Sequence, residues 1–200
     1  GRLTLNPLAH LDPFGSSLIF FVGFGWAKPV PVNPNYFTSP IKDMAFVALA
    51  GPLSNLIIAF IFSIPFFLNI LVPTHPLVPP DYADIIIAFS KLSFSNLLGL
   101  FFGTIVFVNI TLAVFNLIPI PPLDGFKVIL GLVPVDLAYR LVNMEKWGTG
   151  ILVLLVVLPF ITGGLVSPLW WFIEPIRNIF IEFFVGGIND WSFMLNELIK

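Results

Sequence analysis

An apolar run from Phe94 to Leu117 stops at Pro119, Pro121 and Pro122, three prolines in four positions. The run is long enough to cross a bilayer, for which a helix needs ~20 residues. It cannot continue as a helix through the prolines, because each lacks an N–H and its ring clashes with the preceding turn. Unwound backbone at membrane depth is tolerated only where protein or a wet cavity satisfies the freed carbonyls. Asp124 follows at once, so a carboxylate is delivered where the chain has left the helix. It has two readings: a functional group with a partner or metal nearby, or a solvated Asp-Gly turn at the water interface.

Composition supports the membrane premise. Charged residues make up only 10% of the chain, against roughly a quarter in soluble domains. Hydrophobic residues make up 58%, including 23 Phe. A net charge of −2 with scattered basic residues leaves no stripe for nucleic acid. With no cysteine, a metal would have to be held by His, Asp or Glu. The expected fold is therefore an all-α integral membrane protein: a multi-span helical bundle with a Pro-rich unwound segment at its site.

The remaining stretches fit that frame. Residues 1–15 hold too many Asn, Pro, His and Asp to span anything, and His10 and Asp12 lie two apart. In an extended loop the pair would share a face, as a structural hydrogen-bonded His or as a weak metal or proton-relay pair. Ser16–Trp26 is apolar but too short to cross, which predicts a re-entrant or interfacial segment. Pro29, Pro31 and Pro34 predict an extended stretch, either a stiff connector or a strip for strand addition by a substrate. A first span is expected from Asp43 to Val72, with Gly51, Ser54 and Asn55 near its entrance; the bland role for Asn55 is an interhelical hydrogen bond. His75 falls in a polar connection from Pro73 to Lys91. The second span, from Phe94, carries Gly99 and Gly103 at a packing spacing and delivers Asn109 and Asn116. Phe126–Gly148 reads as an interfacial amphipathic segment. A third span is expected from Trp147 to Phe172, with Trp170 and Trp171 as an aromatic belt. Pro175–Lys200 stays ambiguous.

Three ordered motifs carry a resemblance. Asn116, Pro119, Pro122, Leu123, Asp124 and Gly125 match the Asn-x-x-Pro-x-x-Pro-Leu-Asp-Gly pattern of the site-2 protease family of intramembrane zinc metalloproteases. Gly1–Gly15, and Gly25–Pro34 followed by Ala50-Gly51-Pro52-Leu53-Ser54-Asn55, resemble its minimal bacterial and archaeal members. The resemblance implies that Asp124 is a zinc ligand and that Asn55, in the Gly-Pro-x-x-Asn motif with Gly51 and Pro52, faces the catalytic centre and steadies the oxyanion or substrate. It also implies a substrate that is a transmembrane protein or peptide, cut in or near its membrane helix by a Zn²⁺-activated water.

The family's His-Glu-x-x-His, which supplies two imidazoles and the general base, is not among these 200 residues, whose only histidines are His10 and His75. In the family it lies just upstream of the Gly-Arg-Leu-Thr-Leu-Asn-Pro stretch. The expectation is therefore a single protease core domain over 1–200, truncated at its N-terminus and inactive alone. The resemblance does not make His10 a ligand. Rival expectations are a non-catalytic membrane adaptor and a transporter with a broken helix at Pro119–Asp124. Arg2, Lys28, Lys42, Lys127, Arg140 and Lys146 fall on the Asp124 side, whereas the opposite loop has Lys91 against Asp81 and Asp84. The positive-inside tendency then makes the Asp124 face cytoplasmic, and the resemblance to bacterial and archaeal members implies a prokaryotic cell membrane.

Overall fold

The structure is a computed structural model. It describes residues 36–71 and 94–185 continuously, together with residues 4, 6–9, 11–13, 16–17, 28 and 32–33. The chain forms two compact units, Gly1–Pro40 and Ile41–Lys200. In the first, a short 3-10 turn spans Pro7–Ala9, and Asn6 Oδ1 accepts the Leu8 N–H at 3.0 Å. His10, His75, most of Ser16–Trp26 and the prolines of Pro29–Pro34 lie outside the described residues.

The second unit holds α1 (Pro40–Phe67), α2 (Phe94–Asn116), α3 (Asp124–Leu132), α4 (Val135–Val142), α5 (Glu145–Ile161) and α6 (Pro168–Val185). No strand occurs among the described residues. The buried positions of α1 are Ala48, Pro52, Ala59, Ser63 and Phe66. Those of α2 are Gly99, Gly103, Val106, Ile110, Ala113 and Val114. Both sets follow helical periodicity and form one inward stripe per helix. Much of the rest of α1 is apolar and exposed, including Phe46, Leu53, Ile57, Phe60, Ile61 and Ile64. An apolar surface of that extent belongs in lipid rather than water. Two helices are long and apolar enough to cross a membrane, within Pro40–Phe67 and Leu97–Asn116; a third crossing results if α4 and α5, bent by 61°, count as one. The protein is a membrane protein, as its composition requires, and its elements among the described residues are all helical.

Lipid tails are as apolar as a protein core, so close packing rather than exclusion from water holds such helices together. The main core joins Ala59 and Phe66 of α1, Val106, Ile110 and Val114 of α2, Leu152 of α5, and Leu169, Ile173, Ile181 and Phe184 of α6. Phe62 and Phe102 meet with ring centroids 5.2 Å apart, and the Arg177 guanidinium of α6 lies over the Phe107 ring of α2 at 4.8 Å. A smaller cluster of Phe126, Leu130 and Ala138 holds α3 to α4.

Two expectations need correction. The third span does not run from Trp147 to Phe172. Helix α5 ends at Ile161, where Thr162 Oγ1 accepts the Val166 N–H at 3.1 Å and Gly163 and Gly164 take φ of 61° and 85°. That left-handed conformation is one glycine adopts freely, and it stops a helix. Pro168 then starts α6, suited to a first helical turn by its fixed φ, so Trp170 and Trp171 sit on a separate helix. Phe126–Gly148 is likewise not one segment: Val133, at φ −84° and ψ 160°, breaks it before Pro134. The stretch left ambiguous after Pro175 continues helical to Val185.

Candidate functional site

From Asn116 to Asp124 the backbone is a chain of tight turns. The Leu117 N–H still reaches the Ala113 carbonyl at 3.1 Å, continuing α2 by one bond. The N–H groups of Ile118, Ile120 and Leu123 then bond the carbonyls of Phe115, Ile118 and Ile120 at 3.1, 2.8 and 2.9 Å. Pro119, Pro121 and Pro122 have no N–H to offer. The Pro121–Pro122 bond is cis. Ile118, Pro121 and Leu123 are buried, while Pro119 and Pro122 face outward. This is the unwound segment that the prolines predict.

The segment ends by starting a new helix. Leu123 is extended, at φ −67° and ψ 155°, and Asp124 is the first residue of α3. A carboxylate there meets the positive end of the helix dipole. Asp124 is half-buried, and that burial raises its carboxyl above its ordinary value, against the smaller opposing pull of Lys127 one turn later.

Three glycines let other elements close on this point. A Cβ on Gly51 of α1 would lie 3.1 Å from Asp124 Oδ2, so the carboxylate is aimed at the Gly51-Pro52 step. Gly125 lies against the Leu117 and Ile118 carbonyls, where no side chain would fit. Gly148 of α5 lies on Pro121. Asn55 follows Gly51 by one turn and shares its face of α1. It is half-buried. Asn109 donates Nδ2–H to the Ile105 carbonyl at 2.8 Å and is satisfied within its own helix.

The structure thus brings Asp124 to Gly51, with Gly125 next to it in the chain and Asn55 on the same side of α1; Pro52, the residue after Gly51, is buried. Asn116, half-buried, ends the helix that leads in. Sequence reading did not single out Gly148, whose one local signal is a helix-disfavouring residue inside an otherwise regular helix.

A catalytic zinc takes three protein ligands and keeps one position open. Asp124 has the chemistry of one: an anionic oxygen donor, partly shielded from water, next to a residue with no side chain in the way. No group of three His, Cys, Asp or Glu occurs among the described residues.

Residues 14–159 match peptidase family M50, a range that contains Gly51, Asn55, Asp124 and Gly148. The chain is 40% identical over 184 residues to YwhC of Bacillus subtilis (strain 168), a protein named as a candidate zinc metalloprotease; the match covers 92% of this chain and 76% of that protein. It is 28% identical over 180 residues to Rip2 of Mycolicibacterium smegmatis (strain ATCC 700084 / mc(2)155), named in the same way, covering 87% of this chain and 61% of that protein. The chain therefore spans about three quarters of one relative's length and less than two thirds of the other's. No solved structure matches it significantly.

Proposed function

The chain belongs to peptidase family M50, the site-2 protease family, and from that premise we propose that it forms the core of an intramembrane zinc metalloprotease. The observation that carries this reading is the placement of Asp124: a half-buried carboxylate at the first residue of α3, presented by a proline-unwound segment and aimed at Gly51.

In this reading Asp124 supplies one zinc ligand. The two imidazoles and the general base of such a site would be those of a His-Glu-x-x-His, which is not among residues 1–200. When bound, zinc in such a site lowers the pKa of a water and polarises the peptide carbonyl. The chain's own residues do the rest. Asn55 donates its amide N–H to the carbonyl oxygen on which charge develops. The prolines before Asp124 keep the backbone out of a helix, so that a wet site exists beside the bilayer. The substrate is a transmembrane protein or peptide, and its helix unwinds before cleavage because a helix hides its carbonyls in backbone hydrogen bonds. The protein works in a prokaryotic cell membrane with the Asp124 face cytoplasmic.

The test is zinc content and cleavage of a transmembrane substrate by the parent protein, before and after Asp124→Asn. The variant keeps the side-chain shape but loses the charge, so both should collapse. Zinc retained at the unsubstituted stoichiometry would remove Asp124 from the ligand set, and a parent with a degenerate His-Glu-x-x-His and no zinc would be an adaptor.

A further inference from the structure

The segment that carries Asp124 is poorly held by its own hydrogen bonds. Between Asn116 and Asp124 three residues are prolines without an N–H, and the turns that remain link only near neighbours in the chain. A loop of that kind needs packing from elsewhere to hold one geometry. A catalytic side chain must be kept within roughly 0.5 Å of its productive position.

Packing is supplied by α5. Gly148, in its first turn, is buried, and Pro121 is buried opposite it. A Cβ on Gly148 would fall onto the Pro121 Cβ and lie 2.5 Å from its carbonyl oxygen and 2.7 Å from Cγ. Two of these three atoms belong to a rigid ring and the third to the backbone, so none can swing aside as the end of a flexible side chain would. Glycine is a poor helix former, yet here it is the residue that lets a proline lie directly on the helix backbone. Pro121 stands three residues before Asp124, and Gly125, on the other side, is packed against the end of α2. The two contacts clamp the Asp124 turn from both ends.

We propose that Gly148 is a positioning residue of the active site: by seating Pro121 on α5 it fixes the backbone from which Asp124 reaches the metal. The proposal rests on the metalloprotease reading for the word metal, but not for the seating of the loop. It ties a helix beyond the three recognised motifs to the geometry of the ligand turn.

The comparison that tests it is Gly148→Ala against Gly150→Ala in the full-length zinc-loaded protein. Both add one methyl group to a helical glycine of α5, but nothing lies within 4 Å of a Cβ on Gly150. Gly148→Ala should weaken zinc, measured by chelator competition, by about tenfold or more, the scale on which groups supporting a metal ligand act. It should also speed amide hydrogen exchange at Leu117–Phe126, while the helical content and the exchange of the α2 core stay unchanged. Gly150→Ala should leave zinc affinity within about twofold, as expected of a substitution that touches nothing. Pro121→Ala serves as a second variant, which loosens the same contact without added bulk and should move both readouts in the same direction. Unchanged zinc affinity and unchanged exchange at Leu117–Phe126 in a folded Gly148→Ala protein would overturn the proposal, as would an equal effect from Gly150→Ala. If the unsubstituted protein holds no zinc, the metalloprotease reading falls, and the exchange at Leu117–Phe126 alone then supports or overturns the seating role of Gly148.

Discussion

Oδ2 of Asp124 lies 3.1 Å from where a Cβ of Gly51 would stand, so the carboxylate on α3 occupies space that α1 leaves open by having no side chain there. The contact separates stability from function. Alanine is favoured over glycine inside a helix by roughly 0.5–1 kcal/mol, so Gly51→Ala should leave the thermal midpoint unchanged or slightly raised. The added methyl should nevertheless push Asp124 aside and weaken zinc by about tenfold. Parallel melting curves and metal titrations check this; a fall in both together would mean that Gly51 serves only helix packing.

Burial of Asp124 gives a pH signature in the metal-free protein. Its carboxyl is held above its ordinary value, chiefly by desolvation, against the opposing pull of Lys127. The folded state therefore favours the protonated form. As pH rises from acid, the unfolded chain loses this proton first and stability falls; the loss is complete once pH passes the folded value. Asn in its place is neutral throughout. Metal-free Asp124→Asn should be more heat-stable than the unsubstituted protein at neutral pH, with the gain vanishing below the ordinary carboxylate range. Melting curves against pH, taken in detergent with chelator present, would show it, and a gain that persists into strong acid would mean that the difference is not electrostatic.

The reach of the sequence followed the range of the signals. The end of α2 and the exit into Asp124 were legible because prolines and a carboxylate act on their own few residues. The third span is not legible in the same way, because hydropathy is averaged over a window, and Val153 to Phe172 averages as apolar whether or not Gly163 and Gly164 turn the chain with positive φ. The contacts of Gly51 with Asp124 and of Gly148 with Pro121 join elements far apart in the chain, and no local pattern encodes them. Gly51 was reached through a motif; Gly148 has none.

Asn55 should control rate more than folding. It is half-buried and lies one turn after Gly51, on the face of α1 that meets Asp124. Asn55→Ala should lower turnover by about 10²-fold, the scale of a lost oxyanion donor, with KM little changed and the melting temperature within a few degrees. Loss of expression or thermal stability in step with activity would return Asn55 to a packing role.

Residues 1–200 by themselves should not hold zinc stoichiometrically. They include no cysteine and only two histidines, one of them in the connection after Pro73, and one carboxylate cannot select Zn²⁺ because selectivity comes from ligand type and geometry. Purified in detergent and equilibrated with zinc, this polypeptide should retain well under one ion per chain after desalting and cleave no membrane substrate. Extended upstream through a His-Glu-x-x-His helix, it should do both, and in that longer form Asp124→Asn should abolish both again. Tight zinc binding by residues 1–200 would make His10 the first residue to replace, since an imidazole is a good zinc ligand and His10 lies in a motif-bearing stretch; an extended protein that neither binds zinc nor cuts would leave the family's fold without its chemistry and favour an adaptor.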